Sequence, residues 1–77
     1  MTTQAQKTYP YSLNPQEFSV LYILTEGLSD HLMIACRLGT TEADVRLHIA
    51  SILKKMNVRS RTEAAVRAIK EGIFSRE

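Results

Sequence analysis

The chain is short of nearly everything that catalysis, metal binding or membrane insertion requires. Its single cysteine, Cys36, cannot close an internal disulfide and has no base placed beside it in the sequence. There is no glycine-rich phosphate loop, no group of His, Cys, Asp and Glu at metal-ligand spacing, and no stretch near the roughly 20 apolar residues of a membrane span. The first twelve residues lack the apolar run of a signal peptide. An enzyme therefore finds little support, no cofactor or metal is expected, and the chain reads as cytoplasmic. Net charge is also scarce, at +2, which is too little on its own to argue for a polyanionic partner.

The charge is unevenly placed. Residues 1–38 carry Lys7 and Arg37 against Glu17, Glu26 and Asp30, whereas residues 45–61 carry Arg46, Lys54, Lys55, Arg59 and Arg61 with no acid. A basic patch of this kind is the electrostatic footprint of a phosphate-binding surface. With 77 residues the chain makes one small domain, whose core is marginal without oligomerisation, so a dimer is expected on stability grounds.

Helix boundaries are legible from local chemistry. Residues 1–12 are polar, lack periodicity and are expected to form a flexible N-terminal arm, with 75–77 as a C-terminal tail. Asn14, Pro15 and Glu17 supply a cap, a first helical position and a capping box for a helix over 15–26, with Leu13 and Phe18 as a hydrophobic staple and Gly27 as its stop. Ser29 or Asp30 starts a second helix over 31–38, closed by Gly39. Here His31 reads as an incidental surface histidine and Cys36 as a partly buried structural thiol. Thr41 caps a third helix over 42–56, Asp44 forms a shorter capping box with it, and Asn57 closes the helix. Ser60 and Glu63 open a fourth over 61–72.

The second and third helices are joined by a three-residue turn. Ala35 allows a close crossing and Gly39 allows a positive φ, while Ile34, Leu38, Val45 and Ile49 supply the contacts between the helices. Val45, Ile49, Ile52 and Met56 form one apolar stripe on the third helix, and Arg46, Leu47, Ala50 and Lys54 fall opposite it. This free face is expected to read DNA. Arg46 is the best base reader, through bidentate bonds to guanine; Leu47 and Ala50 can meet thymine methyl groups; Lys54, Lys55, Arg59 and Arg61 hold phosphates. Thr41 and Asp44 complete the expected DNA-binding set, with capping as the main role of Asp44. His48 reads as a structural residue bonded to backbone. On the fourth helix Val66, Ile69, Lys70 and Ile73 are the expected dimer surface, although the apolar members could equally serve the monomer core.

From Leu13 to about Phe74 these residues resemble the LuxR-type, or GerE-type, helix-turn-helix domain of bacterial transcription regulators. The resemblance is carried by Leu13, Glu17, Val20, Leu21, Leu24 and Glu26 to Ser29; by Ile34, Ala35, Leu38, Gly39, Val45, Arg46 and His48; and by the run from Val58 to Ala64. It implies an all-α, four-helix domain over 13–74, with helix 3 in the major groove and helix 4 pairing two domains on an inverted repeat of double-stranded DNA. It also implies that regulation usually resides in a separate receiver or ligand-binding domain, and the chain is expected to be a small free-standing member without one.

Departures from the family pattern touch the reading face. One extra residue stands between Gly27 and Leu38, His31 to Met33 replace a more polar stretch, Asp44 stands for a common threonine, and Ala50 for a polar or basic residue. These motivate an alternative, a protein-interaction module that pairs with a larger LuxR-type regulator and antagonises it.

Overall fold

The computed structural model describes residues 9–74. Within them the chain is all-α: α1 (Pro15–Thr25), α2 (His31–Leu38), α3 (Glu42–Met56) and α4 (Arg61–Lys70), preceded by a 3-10 turn at Pro10–Ser12. The caps explain why each helix begins where it does. Asn14 accepts the Glu17 backbone N–H at 2.8 Å while Glu17 Oε1 accepts that of Asn14 at 2.9 Å, a complete capping box with Pro15 at the first helical position. Asp30, not Ser29, caps α2, taking the Leu32 N–H at 2.9 Å. Thr41 caps α3 and Ser60 caps α4, each accepting the N–H three residues on at 3.1 Å.

Three helices end with the same device. Gly39, Asn57 and Gly72 adopt left-handed backbone, and the residue after each donates back to a carbonyl five positions earlier: Thr40 to Ala35 (2.9 Å), Val58 to Leu53 (3.0 Å) and Ile73 to Ala68 (3.1 Å). At the far end this closes α4 at Lys70, two residues before the expected boundary, and α1 stops at Thr25, one residue early. A Cβ at Gly39 would meet nothing within 4 Å, but its φ is +69°. Gly39→Ala should therefore cost only backbone strain, about 1–2 kcal/mol. The urea midpoint should fall accordingly with the slope unchanged; an unmoved midpoint would contradict the role given to this turn.

α3 is the axis of the domain and packs against α1, α2 and α4. Its stripe of Val45, Ile49, Ile52 and Met56 is buried throughout, meeting Val20, Leu21 and Leu24 of α1, Ile34 and Ala35 of α2, and Ala64 and Ala68 of α4 in a single core. No helix among the described residues is long and apolar enough to cross a membrane. Residues 1–8 of the expected arm, and the expected tail 75–77, lie outside the described residues. Residues 9–12 pack on the domain, because their two tyrosines find partners there. The Tyr9 ring lies 4.5 Å from Phe18, which in turn stacks on Phe74 at 4.7 Å. The Tyr11 hydroxyl donates to both oxygens of Glu71 (2.7 and 2.8 Å), a bond that holds the phenol above its ordinary pKa.

Candidate nucleic-acid interface

An α-helix turns by about 100° per residue, so burying the Val45 to Met56 stripe fixes what faces out. The outer arc of α3 carries Ala43, Leu47, Ala50 and Lys54, with Arg46 on one flank and Asp44, Ser51 and Lys55 on the other; all but the half-buried Ser51 are exposed. Leu47 is the extreme case at 67% exposed. Since α1, α2 and α4 occupy the remaining sides, this arc is the part of α3 left uncovered among the described residues.

The polar groups around the arc are unequally free. The Arg46 guanidinium lies 3.3 Å from Glu42 one turn earlier, an exposed pair on both sides. Such a pair is worth only about 0.3–0.5 kcal/mol and gives way readily to a base or phosphate. The Asp44 carboxylate accepts the Thr40 hydroxyl at 2.7 Å while its own N–H goes to Thr41. An aspartate is one methylene too short to return to the cap backbone, as Glu17 does in α1, so it takes the nearer hydroxyl. Thr41 and Asp44 thus build the turn that sets α3. His48 is half-buried and lines a cleft between α1 and the turn, with Gln16, Ser19, Leu38, Thr40 and Asp44.

The basic tail is divided. Among the described residues, Lys54 and Arg59 have no side-chain hydrogen bond or ion pair and are exposed. Lys55, though exposed, is partnered: its Nζ lies 2.8 Å from Glu17 Oε1 and donates to the Ser12 carbonyl at 3.2 Å. Glu17 is only 3% exposed. Burial pushes its pKa up, but hydrogen bonds from Lys55, Ser51 and the Asn14 N–H, with the Lys55 charge, outweigh this and hold the carboxyl below its ordinary value. Arg61 is likewise occupied, donating to the Ser29 carbonyl at 3.1 Å and touching His31 Nε2 at 2.6 Å. Through that contact His31 ties the start of α2 to α4 and is not an incidental surface group. Arg67 donates to the Met56 carbonyl at 3.1 Å and so closes the C-terminal end of α3.

On α4, Val66 (48%) and Ile69 (62%) are exposed large apolar side chains. They border a shallow groove lined also by Leu24 and Thr25 of α1 and by Ala65. Lys70 is exposed beside them. Ile73 differs, being half-buried and packed against the core after the Gly72 turn. Cys36, expected to be partly buried, is exposed, because Ile34, Ala35 and Leu38 take the inward positions of α2 and leave it on the opposite side.

The comparisons agree with this geometry. The family model described as GerE, bacterial regulatory proteins of the luxR family, matches residues 11–68. The nitrate/nitrite response regulator protein NarL of Escherichia coli K12 is 45% identical over 62 residues, covering 80% of this chain and 28% of NarL. The transcriptional regulatory protein DegU of Brevibacillus brevis is 43% identical over 60 residues, 78% of this chain and 25% of DegU. The HTH-type transcriptional regulator AlkS of Pseudomonas putida is 34% identical over 62 residues, 80% of this chain and 7% of AlkS. The chain thus spans between a fourteenth and little more than a quarter of the length of these relatives.

Proposed function

The chain belongs to the luxR family of bacterial regulatory proteins, and from that premise we propose that it binds double-stranded DNA as a dimer, with α3 in the major groove, and so regulates transcription in the cytoplasm. The observation that carries this reading is the outer arc of α3: a 15-residue helix held on its other sides, whose exposed face no other helix covers among the described residues. A helix of this diameter fits the roughly 12 Å width of the major groove. Arg46 reads a base from the flank of the arc, Lys54 and Arg59 hold phosphates, and Thr41 and Asp44 act through the turn they build. Lys55 positions α3 against α1, and Arg61 positions α4 against the α1–α2 loop and the start of α2. Val66 and Ile69, with Lys70 at their edge, form a self-complementary surface for a second copy, an arrangement that reads an inverted repeat with half-sites about 34 Å apart.

Arg46→Ala tests the assignment. Its loss leaves the fold intact, since only an exposed one-turn ion pair is removed, and weakens specific binding by about 1–3 kcal/mol. Equal affinities in a titration at fixed salt would contradict the role.

One observation favours a second reading. With Arg46 paired to Glu42 and Asp44 to Thr40, few polar groups on the reading face are free, as they would be in an antagonist that pairs through α4 with a larger luxR-type regulator. Recovery of such a partner with the chain, together with no salt-dependent binding to DNA, would move the assignment there.

A further inference from the structure

The reading face has an unusual chemical bias. Ala43, Leu47 and Ala50 recur at four and then three residues, so they lie within about 60° of one another around α3 and span roughly 10 Å of its length. All three are exposed, and none carries a hydrogen-bond donor or acceptor on its side chain. Of the polar side chains beside them, Asp44 is bonded to Thr40 (2.7 Å), Arg46 is loosely paired with Glu42 (3.3 Å) and Lys55 is bonded to Glu17 (2.8 Å), while Lys54, with no side-chain partner among the described residues, stands at the C-terminal end of the arc. The middle of the arc is therefore an apolar strip about three base steps long.

In the major groove every base edge offers polar atoms, and thymine alone of the four standard bases adds a methyl group at C5. An apolar strip gains from covering that methyl and loses when it covers a polar edge without one. It has no group with which to tell the thymine O4 acceptor from the cytosine N4 donor. Resting on the proposal that α3 lies in the major groove, we infer that the Ala43–Leu47–Ala50 strip selects 5-methylpyrimidines. It accepts thymine or 5-methylcytosine and disfavours uracil or unmethylated cytosine at the same positions. Binding then responds to methylation of cytosine within the site.

The test uses the full chain and a duplex selected from a random DNA pool. It is resynthesised with each half-site thymine replaced in turn by deoxyuridine, by cytosine or by 5-methylcytosine, the complementary base being changed to match. Affinities are read by fluorescence anisotropy across a salt series. Removing one covered methyl should weaken binding about fourfold, and 5-methylcytosine should recover most of what cytosine loses. Leu47→Ser, a change at an exposed position that leaves the core intact, should erase the thymine–deoxyuridine difference at one position while preserving the salt dependence. The inference is overturned if deoxyuridine and thymine duplexes bind equally, or if Leu47→Ser keeps the full difference at every position, which would mean that the methyl acts through DNA stiffness. Either result leaves salt-dependent DNA binding, and so the underlying reading, in place. If no duplex binds with a salt dependence, the DNA reading itself fails, and this inference with it.

Discussion

Glu17→Ala should lower the stability of the domain by about 2–4 kcal/mol, the combined loss of a capping box and of charge-assisted hydrogen bonds to a buried carboxylate. For a domain this small that is a drop of at least about 8 °C in Tm. The size follows from position: the carboxylate is 3% exposed and serves the α1 cap and Lys55 together. Lys55→Ala is the informative companion. It leaves Glu17 ionised, buried and without its cation, so at neutral pH it should be destabilised to a similar degree. Because the folded-state pKa of Glu17 lies below its ordinary value, the pairing contributes fully above the unfolded-state pKa and is lost as pH falls through the folded one. Unfolding of the wild type and of Lys55→Ala should therefore differ most near neutrality and converge in acid. Were Lys55→Ala to unfold like the wild type at pH 7 yet bind DNA more weakly, Lys55 would return to the phosphate-binding set.

Replacing Lys54 and Arg59 together by alanine should have the opposite signature, leaving Tm within experimental scatter and flattening the salt dependence of DNA binding. Each phosphate contact removed takes about 0.9 from the slope of log affinity against log salt, so a dimer missing four should lose about 3.6. The loss should be nearly uniform across DNA sequences, since phosphates carry no base identity. Both side chains are exposed and without partners among the described residues, which is why folding should be spared. An unchanged slope would mean that affinity comes from elsewhere on the surface.

The contrast between these variants shows where sequence reading succeeds and where it stops. Short-range signals were legible: the Asn14–Glu17 box, the Gly39 turn, the Asn57 stop and the Val45 to Met56 stripe each depend on residues within a turn or two, and the structure has them where they were expected. The family and the all-α fold followed from them. Pairings between distant residues were not legible. Glu17 meets Lys55 across 38 positions, and His31 meets Arg61 across 30, so two cations that composition assigns to a phosphate surface also have partners within the domain. One signal was available for Lys55: on the wheel of α3 it falls between the buried stripe and the outer arc, on the flank that faces α1. The exposure of Cys36 was legible too, since with Ile34, Ala35 and Leu38 as the contacts of the second helix its period puts Cys36 on the opposite side.

The most direct measurement is selection of duplexes bound by the full chain from a random DNA pool at physiological salt. Binding by a dimer through α3 predicts enrichment of an inverted repeat whose half-site centres lie about one helical turn, roughly 34 Å, apart. Recovery of a pool no different from the starting one would contradict sequence-specific reading by this helix.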